Sequence, residues 1–239
     1  MLNQKLFVQI WGPRLEKAGY IRKGSGYYFL MPAEQIIKLV HMEILGPYWF
    51  RIDVNIACYA DDINMDDLKH SIGFDLSNNI FPLFKKDPRG CLAQPAPEQK
   101  LEEEYQMFEE FILPLMEGVR SVEDCYHFRQ HLYELTGSVL EVDESLFECI
   151  QCGWYDEALK RAQAKYEHAR WDFKRSRYYY EVAKNLPEQM YLYRKETMET
   201  CEMWLNDLQA GVYDRLHEEL QRRIDRSRKS CSKYFGWRM

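Results

Sequence analysis

Apolar and polar residues alternate strictly from Trp49 to Tyr59, and this is the clearest pattern in the chain. The apolar positions are Phe50, Ile52, Val54, Ile56 and Cys58. Arg51, Asp53 and Asn55 lie between them. Successive side chains of a strand point to opposite faces, so the pattern predicts a strand with one buried face and one polar face.

Before this strand, the apolar residues from Leu6 to Ala18 recur at helical spacing and predict an amphipathic helix. Gly12-Pro13 interrupts it, because proline removes a backbone donor and clashes with the preceding turn. Gly19 is expected to end the helix in a left-handed conformation. Residues 21–26 are predicted to form a turn.

Two further strands are predicted, Tyr27–Met31 and Gln35–Leu45. Pro32 ends the first, and Gly46-Pro47 forms the turn after the second. Short connections make the three strands an antiparallel meander, and the helix covers its apolar face. Residues 60–100 are irregular and rich in proline, with a short helix or strand within Leu68–Ile80 and a fourth strand at Ile80–Phe84.

After Lys100 the apolar period becomes helical and stays so. The predicted helices are 101–115, 121–135, 143–152, 155–185 (with a break near Ser176), 187–210 and 212–230. Ser121-Val122-Glu123-Asp124 is an approximate capping box. The chain is therefore predicted to be α+β, with an α+β domain over 1–136 and a helical, bundle-like extension over 137–239.

Composition places the protein among ordinary globular chains, with 46% hydrophobic and 29% charged residues. The net charge of −6 argues against nucleic-acid binding by the chain as a whole. The seven cysteines have irregular spacing, and no apolar run has the length of a signal or membrane span. We therefore expect free thiols in a reducing cytosol, with no membrane span.

The polar face of the central strand is the main candidate binding site. Arg51, Asp53 and Asn55 occupy it, and His41 and Glu43 of the preceding strand are expected beside them. Such a row on an open sheet binds a ligand or partner, or it forms cross-strand ion pairs on a solvated face. The second alternative is the more common one.

Other groupings predict no catalytic residue, metal site or cofactor. Cys149 and Cys152 have redox spacing but fall at the C-terminal end of a predicted helix, where the dipole does not lower a thiol pKa. His127 and His131 share a helix face near Cys125, without the glutamate of a metalloprotease motif.

A basic segment closes the chain and interleaves cations with aromatic residues. It contains Arg222, Arg223, Arg226, Arg228, Lys229, Lys233, Tyr234, Phe235 and Trp237. The segment binds RNA, an anionic membrane surface or an acidic partner, or it pairs with acidic helices of the same chain.

Several of these segments resemble a bacterial family, domain of unknown function 4304. The resemblance is carried by Trp11–Lys23, Tyr27-Tyr28-Phe29, Val54-Asn55-Ile56, Phe111–Met116 and Ser121–Asp124. It covers about residues 5–135, departs from the family between Asp62 and Pro97, and does not extend over 140–239. It implies an α+β fold and no established activity, with a role as an immunity protein against a toxin suggested by association only.

The sequence thus predicts a cytosolic, non-enzymatic module that binds another protein, with an immunity-like role as one form of it. The alternatives are a small-ligand binder or enzyme with a pocket at the sheet face, and a nucleic-acid binder that uses the basic segment. The oligomeric state is not predicted.

Overall fold

Five strands form a single antiparallel sheet in the order β1-β2-β3-β4-β5. The computed structural model describes residues 2–23, 27–30, 35–44, 50–65, 74–76, 80–84, 96–136 and 146–236. The strands are β1 (Ile21–Lys23), β2 (Tyr27–Leu30), β3 (Ile36–Ile44), β4 (Phe50–Cys58) and β5 (Phe74–Asp75). The predicted meander is confirmed in β2, β3 and β4.

Two sequence-based predictions around this sheet are wrong. Residues 21–23 are a strand rather than a turn, since Arg22 pairs with Tyr28 in register. This edge strand is too short to show a periodic pattern. Ile80–Phe84 is not a strand, because Phe81–Phe84 forms the short helix α3. Pro82 cannot donate to a sheet ladder but is tolerated in a first helical turn. The additional strand is instead β5, which pairs with β4.

The N-terminal helix is interrupted as predicted. Helix α1 spans Leu2–Ile10 and α2 spans Gly12–Lys17, with the break at Trp11. A Cβ atom on Gly12 would lie 2.5 Å from the Tyr28 hydroxyl oxygen, so the break brings backbone against β2. Gly19 follows with φ near +90°, a conformation that suits glycine and ends the helix.

The remaining described helices follow the predicted order. They are α4 (Pro97–Met107), α5 (Leu113–Gly118), α6 (Val122–Thr136), α7 (Leu146–Gln151), α8 (Tyr155–Glu181), α9 (Glu188–Ala210) and α10 (Asp214–Phe235). A π-helical segment, Phe108–Ile112, joins α4 to α5 just before Pro114. Helix α8 runs unbroken through Ser176. The protein is therefore α+β, with a helix-covered antiparallel sheet followed by an all-helical region. None of the described helices is long and apolar enough to cross a membrane.

The capping box of α6 is confirmed. Asp124 accepts hydrogen bonds from the backbone N–H of Arg120 and of Ser121, at 3.0 and 2.9 Å. The Ser121 hydroxyl oxygen accepts the Asp124 N–H at 3.1 Å in return. These bonds satisfy backbone donors that the first turn leaves free.

Helices α1 and α4 meet over one face of the sheet through aromatic rings. The Trp11 ring is fully buried and lies 5.1 Å from Tyr105 and 5.2 Å from Phe108, between centroids. Its indole N–H donates to the Leu101 carbonyl at 3.0 Å. Buried tryptophan is stable only when this N–H is paired, so the contact fixes α4 on α1.

The last helix returns to the sheet. The buried Ser227 hydroxyl of α10 donates to the Tyr59 carbonyl at 2.8 Å and accepts the Ile63 N–H at 2.7 Å. The Arg226 guanidinium donates to both carboxylate oxygens of Asp62, at 2.8 and 2.9 Å. Residues of both halves thus meet at the end of β4. The division near residue 136 stays a prediction.

Candidate functional site

The five predicted site residues, here called the polar row (His41, Glu43, Arg51, Asp53 and Asn55), do lie together. Register places His41 opposite Asp53 and Glu43 opposite Arg51. The Arg51 Nε donates to Asp53 Oδ2 at 2.9 Å, and a terminal guanidinium nitrogen lies 2.6 Å from Glu43. His41 Nε2 lies 3.4 Å from Asp53 Oδ2. Four of the five residues therefore form a continuous cross-strand network, whereas Asn55 lies opposite Leu39.

The expectation that this face is open is wrong. Asp53 is fully buried and His41 is 4% exposed, and Ile37 and Leu39 beside them are also buried. The last turn of α10 approaches the edge strand β1, where the Phe235 ring lies 5.5 Å from the Lys23 amino group. Only Glu43, Arg51 and Asn55 are partly exposed. Binding by the polar row stays a prediction.

Burial sets the protonation of the row. It lowers the pKa of His41 to about 4, and the nearby Arg51 charge lowers it further, so the imidazole is neutral at pH 7. The close Asp53 carboxylate acts in the opposite direction, but burial outweighs it in a ring that solvent hardly reaches. Arg51 is therefore the cation that accompanies the buried Asp53 charge. Such a network fixes the strands, because removing one partner leaves a buried charge uncompensated.

A second polar group lies at the far end of β4 and was not predicted. Cys58 of β4, Cys125 of α6 and Glu148 of α7 place one potential ligand atom each within 4.8 Å of one another. We call these three residues the thiol cluster. All three side chains are fully buried. The Cys125 thiol points to the Ile56 carbonyl, at 3.8 Å.

Arg129 and Asp61 surround the thiol cluster. One terminal guanidinium nitrogen of Arg129, Nη2, donates to Glu148 Oε2. The other terminal nitrogen, Nη1, lies 3.5 Å from Asp61 Oδ2. Asp61 Oδ2 also accepts the Cys58 N–H at 3.1 Å. Burial raises the pKa of Glu148 to about 8, with Asp61 adding to the rise and Arg129 opposing it. The neighbouring Cys125 thiol and burial raise the pKa of Cys58.

The hairpin of α8 and α9 forms the third unusual region. We call residues 170–200 the hairpin arm. None of these residues is buried. Six of the ten large apolar side chains that are exposed in the described ranges lie in it, namely Trp171, Tyr178, Val182, Met190, Leu192 and Tyr193. At 1.5 Å per residue, the twelve residues of α8 in the arm extend about 18 Å beyond the last buried position, Ala169.

Aromatic and ionic contacts hold the two helices of the hairpin arm together. Tyr180 and Tyr191 stack with centroids 4.5 Å apart, and Phe173 lies 5.6 Å from the same Tyr191 ring. Arg194 of α9 forms an ion pair with Asp172 of α8. Trp171, Tyr178 and Val182 lie on the opposite side of α8, since they are offset from Phe173 by about half a turn.

The remaining candidates of the sequence do not form sites. Cys149 and Cys152 follow the predicted placement at the end of α7, and burial raises their pKa values to about 12 and about 11. A redox pair needs the opposite shift. His127 is exposed beside Glu123, at 3.9 Å, whereas Cys125 points inward, so the two do not converge.

Three cations of the basic segment pair within the molecule, and the first, Arg222, lies 3.2 Å from Glu219. Arg226 binds Asp62 as described above and also Glu219, at 3.1 Å. Arg223 lies 3.2 Å from Glu219 and 4.0 Å from the centre of the Phe147 ring. The acidic partners found for these arginines are thus Asp62, which follows β4, and glutamates of α10 itself. Trp237 lies outside the described residues.

Sequence reasoning missed the thiol cluster and the hairpin arm. Cys58 and Cys125 are 67 positions apart, so no motif joins them, but Glu148 in the apolar run Leu146–Ile150 is a detectable anomaly. The sequence does hold a signal for the arm. Trp171 and Phe173 place apolar residues on opposite faces of one predicted helix, whereas a helix that covers a core has one apolar face.

Comparison of the chain with protein-family models, with curated proteins and with solved structures found no match in any of the three. The resemblance to domain of unknown function 4304 therefore stays a prediction.

Proposed function

We propose that the protein is a non-enzymatic binding module and that the hairpin arm binds the acidic surface of another protein. One observation carries this proposal: no residue of 170–200 is buried, yet these residues hold six of the ten large apolar side chains that are exposed in the described ranges. Folding does not explain these residues, because they contribute little to the core. Exposed apolar patches on a soluble protein mark interaction surfaces.

The outer face of α8 has the residue types that dominate binding energy. Trp171, Arg175, Tyr178 and Val182 recur at intervals of four, three and four residues and form one stripe along the helix. The Arg175 guanidinium carbon lies 5.4 Å from the centre of the Trp171 ring. Trp171 is 56% and Tyr178 57% exposed. Tryptophan, tyrosine and arginine are enriched among interface hot spots, and this spacing suits a partner that lies along the helix.

Charge defines the chemistry of the partner. Residues 170–184 hold five Lys and Arg against two Asp and Glu, a net charge of +3, so the rest of the −6 chain carries −9. Facing stripes of two copies would both be basic and would repel. An acidic partner surface is attracted and steered toward the stripe.

A protein fits the stripe better than a nucleic acid. Val182, 66% exposed, has no partner in a phosphate backbone but packs readily on an apolar side chain. Arg177 already lies 2.9 Å from Glu181, which reduces the charge available for phosphates. The stripe thus combines apolar anchors with a moderate positive charge, as protein interfaces do.

Affinity purification from the native cells tests the proposal. Wild type, the double variant Trp171→Ala/Tyr178→Ala and the control Val212→Ala, an exposed apolar residue outside the arm, are compared after nuclease treatment. A captured protein is then purified and titrated against all three by calorimetry. We expect the double variant to bind at least about 30-fold more weakly, because each hot spot contributes about 2 kcal/mol, and the control to bind as wild type.

Four outcomes contradict the proposal. In the first, the captured protein binds the double variant as strongly as it binds wild type. In the second, nuclease treatment removes the captured protein, which indicates that the ligand is a nucleic acid. In the third, sedimentation shows a dimer of this chain that the double variant abolishes. Failure to capture any protein also counts against it.

The compartment and the immunity-like role belong to the same proposal. All described cysteines are free thiols, which supports a reducing compartment such as the cytosol. The immunity-like role requires that the partner be a toxin. Inhibition of the identified partner by wild type but not by Trp171→Ala/Tyr178→Ala would distinguish that role from simple scaffolding.

A further inference from the structure

We propose that the thiol cluster is a binding site for a divalent cation of the zinc class. Cys58, Cys125 and Glu148 come from three different elements, β4, α6 and α7, and their ligand atoms lie within 4.8 Å of one another. Thiolates and carboxylates are zinc ligands, and two such atoms on one tetrahedral ion are roughly 3.7 Å apart. Small side-chain movements therefore suffice to close the cluster on an ion.

Glu148 provides the second, independent observation. Its side chain is fully buried, and Arg129 binds Oε2, whereas Oε1 forms no hydrogen bond of normal geometry among the residues that the structure describes, although the Cys58 thiol and Asp61 lie close to the carboxyl group. A buried carboxylate oxygen without a partner is costly. A cation bound to Oε1 removes this cost. Arg129, which donates to Oε2, then orients Glu148 toward the ion, as hydrogen-bonding groups next to metal ligands do in proteins.

The charges of the site nearly balance around a divalent ion, with one negative charge in excess when Asp61 is included. Binding releases one proton from each of Cys58 and Cys125 to solvent, together with the proton that Glu148 retains at neutral pH because burial raises its pKa to about 8, so the ion meets two thiolates and the Glu148 carboxylate. The Arg129 guanidinium offsets part of this negative charge, and Asp61 adds to it at the edge of the cluster. The fourth coordination position belongs to Asp61 or to water.

A surface pocket lies beside the elements that hold the thiol cluster, and we propose it as the side from which an ion enters. It has a volume of about 280 Å³ and is lined by Ile36, Val122, Gln151 and Cys152, among others. Helices α6 and α7 of the thiol cluster contribute Val122 and Gln151 to it, and β3, which pairs with β4, contributes Ile36. Ile36 pairs with Cys58 across the sheet, and Val122 lies one helical turn before Cys125. Gln151 lies about one turn after Glu148.

Direct metal binding to the full chain tests the site. The protein is treated with a chelator under reducing conditions, dialysed, loaded with Zn²⁺ and analysed by inductively coupled plasma mass spectrometry. We expect one zinc per chain. Loading with Co²⁺ instead is expected to give the near-ultraviolet absorption of cobalt–thiolate bonds. A wild-type protein that retains no zinc, or binds cobalt without that absorption, overturns the proposal.

Matched serine variants locate the ion. Cys125→Ser removes a ligand, whereas Cys201→Ser changes an equally buried thiol of α9 outside the thiol cluster. We expect Cys125→Ser to weaken zinc binding by more than about 100-fold, beyond the effect of outer-shell changes, and Cys201→Ser to leave it unchanged. Equal effects of the two variants contradict the site. If Cys125→Ser does not fold, mass spectrometry of unreduced wild type replaces it. In that experiment, a Cys58–Cys125 disulfide in the freshly purified protein would show that the two thiols form a disulfide pair, and would overturn the metal site.

Discussion

The sheet and the hairpin arm show opposite distributions of charged and apolar residues. In the sheet, charged groups are inside: Asp53 is fully buried and Lys38 is 3% exposed. In the hairpin arm, apolar groups are outside: Trp171 and Tyr193 are 56% and 63% exposed. Ordinary globular regions place these residue types the other way around. Each region therefore requires an explanation other than general solubility.

The two regions differ in whether folding accounts for their unusual residues. The charges of the polar row meet partners on the neighbouring strand, so folding accounts for them. The aromatic residues on the outer face of α8 stabilise nothing that a monomer needs. A polar row is thus a weak indicator of function when it is buried, and an exposed aromatic stripe is a strong one.

The largest expected effect concerns the interior charge. Asp53→Ala leaves Arg51 and His41 without their carboxylate in a buried network, so we expect the free energy of unfolding to fall by about 3–5 kcal/mol. Urea denaturation measures it. Glu43→Ala, which removes a half-exposed partner of the same Arg51, is the control and should lower it by about 1 kcal/mol or less. Equal losses would show that the row is not buried.

The next effect is a pH dependence of stability. The pKa of His41 is about 4 in the folded protein and close to 6.5 in the unfolded chain, so the unfolded state binds the proton first as pH falls. The His41 contribution is therefore complete above pH 6.5 and is lost as pH falls toward 4, by about 2 kcal/mol. Urea midpoints at pH 7 and pH 4.5 measure it. His41→Asn should flatten this slope, whereas the exposed His127→Asn should not.

A smaller effect tests how α10 is attached to the sheet. Ser227→Ala removes the side chain that pairs with the Tyr59 carbonyl and the Ile63 N–H, both buried. We expect a loss of about 1–3 kcal/mol in the free energy of unfolding. Ser176→Ala, on the hairpin arm, should change it by less than about 0.5 kcal/mol. A neutral Ser227→Ala would mean that α10 does not hold the sheet.

The smallest effect is expected in the hairpin arm. Trp171→Ala and Tyr178→Ala remove exposed rings, so each should change the free energy of unfolding by less than about 0.5 kcal/mol. Trp11→Ala, which removes a fully buried ring, is the contrasting variant and should cost about 3–5 kcal/mol. If Trp171→Ala or Tyr178→Ala lowered the free energy of unfolding as much as Trp11→Ala, the arm would contribute to the core, and the account would be wrong.

The sequence predicted what short-range patterns determine. The alternation of β4, the break at Gly12-Pro13 and the Ser121–Asp124 cap each depend on neighbouring residues, and all three are present. The burial of the polar row was not predictable in this way, because alternation along a strand does not specify what packs on its polar face. The thiol cluster depends on three distant elements. Long-range packing leaves no periodic signal along the chain.

One measurement tests most directly whether the partner binds the hairpin arm or the polar row. It is the amount of partner protein that each of two variants retains. Trp171→Ala/Tyr178→Ala alters the arm, and Glu43→Gln/Asn55→Ala alters the partly exposed members of the polar row. We predict that the arm variant loses the partner and that the row variant retains it at the wild-type level. Loss of the partner from the row variant, with full retention by the arm variant, would contradict this account and return the binding site to the sheet.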